Sequence, residues 1–200
     1  MISMNATPHE IVVRTPRAKP LLFQWVAENL NAPRIVRIRL AEESAEVNVR
    51  GIFFTRGNEE LSIRLEVIHE APRTKSNVMF RGLVADRGVA RVHEIAVLKK
   101  GAKGAETHVE AKAMLLSDQA KAEIEPYLEI DEDDVRATHS ASVRPLEEEE
   151  IFYLMSRGLS RKVAERMLLE AFLAPVAEAL PQGFRGVKGG KGVLSPRQLL

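Results

Sequence analysis

From Ile35 onward apolar and polar residues alternate along the chain. IVRIRL at 35–40, AEVNVRGIFF at 45–54 and ELSIRLEVIHE at 60–70 put an apolar side chain at nearly every second position. Successive side chains of an extended chain point to opposite faces, so this period predicts strands with one buried face. Further short strands are predicted in NVMFRGLVA, VARVHEIAVL, THVEAKAMLL, AEIEPYLEI and DVRATHSASV, joined by short connections. Ahead of them, LLFQWVAENLN at 21–31 lies between Pro20 and Pro33, with Leu22, Trp25, Val26 and Leu30 near helical spacing. That spacing predicts a short amphipathic helix.

Many short strands at regular intervals suit either an antiparallel sandwich or a β-solenoid. RGNEE at 56–60 and ADRGVA at 85–90 look like tight turns in which glycine supplies a positive φ. KKGAKGAE and SDQAKAE instead put small residues at the junctions, as stacked coils require. No strict period decides between the two architectures. The end of the chain is helical. Pro145 and Glu147–Glu150 suit a helix N-terminus, where carboxylates complement the macrodipole. Gly158 suits a C-terminal cap, and Ser160 can cap a second helix, SRKVAERMLLEAFLAPVAEAL, which Pro175 should kink or split. Val163, Ala164, Met167, Leu168, Ala171 and Phe172 trace its expected apolar stripe. The resulting division is an N-terminal arm with its helix at 1–34, a strand core at 35–145, a helical region at 146–181 and a flexible basic tail at 182–200.

Composition mainly excludes. Lys and Arg total 29 against 28 for Asp and Glu, so no net charge pulls the 200-residue chain toward nucleic acid or a membrane. Charge is nevertheless segregated: 11–40 is basic, Glu123–Asp134 is acidic, and the tail carries Arg185, Lys188, Lys191 and Arg197. With no cysteine there is no disulfide and no thiolate ligand from this chain. No apolar run approaches the roughly 20 residues that cross a bilayer, and MISMNATPHEIVVR lacks a signal-peptide layout, so a soluble cytoplasmic protein is expected. GxxxxGK[ST], GxSxG and HExxH spacings do not occur, which argues against nucleotide binding and against an enzyme.

Five blocks in order resemble the SufB/SufD family, scaffold subunits of SUF iron–sulfur cluster assembly. EVNVRGIFF is similar to the strand entering the family core, and RLEVIHEAPRTKSNVMFRGLVADRGVARV to its stretch of histidine, Ala-Pro, serine and a glycine-bearing strand. ETHVEAKAMLLSDQAKAEIEPYLEIDEDDV resembles the LLLS block, the P-x-LEI strand and the acidic DDV turn. THSASV matches the histidine-containing HGAT-like segment, and IFYLMSRGLS the FYL-x-SRG helix. The resemblance runs from about Glu46 to about Leu180. It implies a mainly β chain: a right-handed parallel β-helix with a C-terminal α-helical hairpin, in a short, core-only, SufD-like member. It also implies pairing through the β-helix, with itself or with a SufB-type subunit, and binding of a SufC-type ABC ATPase by the helical region.

On that resemblance His139 matches the family's histidine near the pairing interface, where it would help ligate or deliver iron; read structurally, it is a partly buried histidine bonded to a neighbouring strand. Family members often carry a cysteine where Ala137-Thr138-His139 stands here. Without thiolates no cluster is held stably by this chain alone, and a transient cluster or iron belongs to a complex. Tyr153, Arg157, Gly158, Met167 and Phe172 are the candidate partner-binding residues, with Phe152 and Leu154 assigned to the core. A rival reading is a small histidine-based metal-binding protein or metal-dependent enzyme, which needs at least two of His69, His93, His108 and His139 to converge, with Glu94 and Glu110 nearby in sequence. A third is a divergent family member with no part in cluster assembly. Asp131–Asp134 reads as a solvated turn, because consecutive acids do not converge on one cation.

Overall fold

The computed structural model describes residues 9–16, 20–26 and 33–177. The tail at 182–200 and the second half of the segment expected to be helical therefore lie outside the described residues. The described residues form ten strands followed by two helices: β1 His9–Val13, β2 Leu21–Val26, β3 Arg34–Leu40, β4 Glu46–Thr55, β5 Glu60–His69, β6 Lys75–Val84, β7 Val89–Leu98, β8 Ala105–Leu115, β9 Lys121–Ile130, β10 Val135–Pro145, α1 Glu148–Ser156 and α2 Arg161–Ala177. Odd strands form one sheet in the order β1-β3-β5-β7-β9, and even strands form a second in the order β10-β8-β6-β4-β2. Within both sheets the described neighbours pair in parallel. Each odd strand and the even strand after it thus make one coil of a parallel β-helix, and the coils stack. The sandwich alternative falls: the turns at 56–59 and 85–88 join facing sheets, not neighbours within one sheet.

The segment expected to be helical is a strand where it is described. β2 pairs with β4, setting Phe23 beside Gly51 and Trp25 beside Phe53. LLFQWV carries a period of two as well as a helical spacing, and its large aromatic residues favour a pleated surface. Tertiary packing decides. A Cβ on Gly51 would lie 2.7 Å from the rings of both Phe80 and Trp25, so the ring of Trp25 fills the space glycine leaves. With β1, β2 forms a first coil ahead of residue 35, so the coiled core begins inside the segment read as an arm.

Inward positions form columns that run through the stack. One reads Phe23, Gly51, Phe80, Ala111, Ala141 and its neighbour Trp25, Phe53, Gly82, Ala113, Val143. Large residues stand beside small ones within and between the columns, and a Cβ on Gly82 would fall 1.9 Å from the ring of Phe53. Close packing of this kind fixes the register of the coils.

The corners explain why no sequence period is visible. Ser44 (φ 60), Arg73 (φ 55) and Gly104 (φ 73) take the same left-handed conformation at equivalent corners. Their amides donate to Pro72, Lys103 and Asp134 carbonyls at 3.0, 2.8 and 2.6 Å, one coil further on. Only one of the three is glycine. At the opposite corner Gly57 takes φ 60 as expected, but in ADRGVA the left-handed residue is Asp86, not Gly88. Asp86 Oδ2 accepts from the Gly57 amide of the coil before at 2.8 Å, and aspartate is among the few non-glycine residues that tolerate this conformation.

α2 covers part of the outer face of the even sheet. Phe54, Leu83 and Met114, side by side on β4, β6 and β8, form a second apolar cluster with Leu169 and Leu173 of α2. The buried stripe of α2 is Ala164, Leu169, Leu173 and Val176, rotated from the expected one; of that set only Ala164 is buried, while Met167 and Ala171 are exposed. The helix is apolar around more than one face, so spacing alone did not fix which face packs. It runs unbroken past Pro175 to Ala177. Gly158 caps α1 with φ 91, as expected.

Candidate functional site

Two regions hold the residues singled out from the sequence: the last coil and the helical hairpin. β9 and β10 build the last coil, and no described strand lies beyond either. His139 aligns with Val109, an inward position of the coil before, but no described residue stacks over it as a further coil, and it is exposed. Its imidazole therefore stands at the open mouth of the solenoid. Ala137 aligns with Thr107 on the same inward face.

The other histidines do not converge. His69 faces inward and is fully buried, with Nδ1 2.8 Å from Thr74 Oγ1 and Nε2 2.9 Å from Ser76 Oγ, which lies 2.7 Å from Thr107 Oγ1. Thr74 donates its hydroxyl to the Ala71 carbonyl at 3.0 Å. That direction fixes the rest: His69 Nδ1–H donates to Thr74, and Ser76 donates to Nε2. Burial lowers the His69 pKa to about 4, so it is a neutral core histidine. His93 lies on the outer face of the odd sheet, 3.2 Å from Glu125 and stacked with Tyr127. His108 lies on the outer face of the even sheet, along a cleft of about 280 Å³, with Nδ1 2.8 Å from Thr138 Oγ1. Among the described residues no three His, Asp or Glu side chains are placed to hold a metal ion.

Glu94, noted in the sequence only as a neighbour of His93, lies inside the coil. It aligns with Leu65 and Pro126, is fully buried, and neither carboxyl oxygen has a hydrogen-bond partner. Burial first, and then the charge of Glu110, raises its pKa to about 8. The strand pattern carried this signal, because Glu94 shares the parity of Val92, Ala96 and Leu98. Glu110 is on the outer face and bonded to Arg81, whose guanidinium is buried against the Phe172 ring 5.9 Å away.

The hairpin exposes large apolar side chains. Phe152 is 73% and Tyr153 59% exposed, and Met155 and Met167 are also exposed; Arg157 stacks 5.3 Å over the Tyr153 ring. Phe152 is therefore not core. Ile151 is the buried residue of α1, and Leu154 is half-buried. Phe172 is half-buried on the α2 cluster, so it seats the helix and does not stand free beside Tyr153. Arg161 bonds Glu148 and Glu165, tying the two helices together. No described helix is long and apolar enough to cross a membrane.

The family model described as "SUF system FeS cluster assembly, SufBD core domain" matches residues 23–172. An iron-sulfur cluster assembly SufBD family protein of Mycobacterium tuberculosis (strain ATCC 25618 / H37Rv) is 27% identical over 180 residues, covering 88% of this chain and 21% of that protein. The iron-sulfur cluster assembly protein SufD of Bacillus subtilis (strain 168) is 35% identical over 133 residues, 66% of this chain and 30% of its own length. A SufBD family protein of Staphylococcus saprophyticus is 29% identical over 165 residues, 81% of this chain and 36% of its own. The chain thus spans between a fifth and just over a third of the length of these curated relatives.

Proposed function

The chain belongs to the SufBD family, and from that premise we propose that it is a SufD-like scaffold subunit of iron–sulfur cluster assembly, with catalysis left to its partners. The observation that carries the reading is the match to the core domain, which runs through the coils and into α2. A β-helix is a rigid platform. Its open last coil supplies an edge for pairing with a second scaffold chain, and its hairpin supplies an apolar surface for another protein. A SufC-type ABC ATPase is the partner proposed for the hairpin, seated on Tyr153, Arg157, the Gly158 turn and Met167, with Phe172 holding α2 in place beneath them. Hydrolysis in that ATPase would then shift the paired scaffolds relative to each other.

The cluster or its iron is cargo. His139 supplies an imidazole at the mouth of the last coil, and thiolates, the usual ligands, must come from a partner because this chain has none. The metal-binding alternative lacks a supporting observation, since the four histidines occupy separate surfaces or the core.

Light scattering after size exclusion, with the chain alone and mixed with the SufC-type ATPase of its own organism, tests the proposal. A complex is expected for the wild type and none for the Tyr153→Ala/Arg157→Ala variant, whose melting temperature stays within a degree or two because both side chains are exposed. A chain that ignores the ATPase would sink this reading and leave the family fold in a different role.

A further inference from the structure

α2 covers the even sheet where Phe54, Leu83 and Met114 stand, near the ends of their strands. At the starts of the same strands the outer face holds the cleft of about 280 Å³ beside His108, which no described helix residue lines. Parallel register builds this cleft from two rows. The first is Glu46, Lys75, Glu106 and Arg136; the second, two positions further along each strand, is Asn48, Asn77, His108 and Thr138. Each step along a row is one coil, about 4.8 Å, so a row of four is about 14 Å long.

Charge alternates along the first row, but only its middle pairs. Lys75 Nζ lies 3.1 Å from Glu106, while the Glu46 carboxylate at one end and the Arg136 guanidinium at the other have no partner among the described residues. Glu46 is nevertheless half-buried, where a carboxylate gains most from a cation. The second row also has groups to spare. Asn77 Oδ1 accepts from Arg50 at 3.1 Å, which leaves its amide hydrogens. Asn48 makes no side-chain hydrogen bond among the described residues. His108 meets Thr138 through Nδ1 at 2.8 Å, which leaves Nε2. Donors and acceptors thus stand between a lone anion and a lone cation.

That order of groups selects a ligand. A polyanion would meet Glu46 and Glu106, and a polycation Lys75 and Arg136. A neutral sugar would leave both end charges without a counter-ion, and no described Phe, Tyr or Trp lines the cleft for it to stack on. A short peptide with free ends carries an ammonium, a carboxylate and, between them, N–H and C=O groups. Three or four extended residues reach about 10–14 Å, which matches the row.

We propose that this cleft binds a free peptide of about three or four residues, with its ammonium at Glu46, its carboxylate at Arg136 and its backbone on Asn48, Asn77 and His108. The guanidinium fork suits a carboxylate in particular. The site uses no residue of the hairpin and does not depend on the scaffold reading. Titration of the isotope-labelled full chain with triglycine, followed by NMR, tests it. The side-chain amides of Asn48 and Asn77 and the ring of His108 are expected to shift together and saturate, and added salt should weaken the binding. Glu46→Gln and Arg136→Gln should each weaken it by on the order of tenfold, with the rest of the spectrum unchanged because both side chains lie on the outer face. Triglycine acetylated at its N-terminus, or amidated at its C-terminus, should lose a similar factor. Signals that ignore triglycine, capped peptides that bind as well as the free one, or variants that bind as the wild type each overturn the proposal. The first row would then be a solvated ladder in which Glu46 and Arg136 pair in turn with Lys75 and Glu106.

Discussion

Glu94 and His69 are both buried in the coil interior with opposite titration shifts, and each sets one limb of the stability profile. The folded Glu94 pKa of about 8 lies above its ordinary 4.5, so between those values the native state keeps a proton that the unfolded chain gives up. Stability falls as pH rises through that window. Glu94→Gln keeps the shape without the charge. Its melting temperature should exceed that of the wild type by an amount that grows from pH 5 to pH 8, with a gain on the order of a few kcal/mol at the upper end; parallel curves would show that the carboxyl finds a partner in solution. His69 acts in the other direction. Its folded pKa of about 4 lies below the ordinary 6.5, so stability is lost as pH falls through this window. Its ring C–H resonance should titrate near pH 4 by NMR, well below the ordinary 6.5.

At the scale of elements, the second core depends on α2 meeting β4, β6 and β8. Leu169→Ala removes a fully buried contact and should cost roughly 2–5 kcal/mol. Because α2 seats on one face of the sheet, the loss should appear in hydrogen exchange as faster amides in α2 while β5 to β8 stay protected. Uniform acceleration would mean that hairpin and coil unfold as one unit. β3 to β10 were legible in the sequence, since alternation is a property of one strand and its two faces. The sheet order was not, because corners that share a conformation through Ser44, Arg73 and Gly104 leave no residue-level repeat. β2 was misread because six residues satisfy both periods, and the deciding term is the space beside Gly51. The face of α2 was misread for the same kind of reason: the helix alone does not determine what it packs against. At the candidate site, the family blocks located His139 and the hairpin, while the exposure of Phe152 and the burial of Phe172 depend on how α2 sits on the sheet.

For the whole molecule, the interior columns limit what the coil can become. Gly82→Ala should cost roughly 1–3 kcal/mol, or more, because the added methyl meets the Phe53 ring and cannot be relieved by a surface shift; an unchanged melting temperature would show that the ring moves freely. The same columns bear on length. In a stack whose neighbouring layers were alike, a coil could be duplicated or lost with little penalty. Here removal of the β5–β6 coil would bring Ala111 onto Gly51 and Ala113 onto Phe53, replacing filled layers by a void. Duplication of the same coil would set Phe80 on Phe80 and Gly82 on Gly82. The number of coils is thus written into side-chain volume, and lineages of this chain should vary by growth beyond its first or last coil far more readily than by insertion of coils between them.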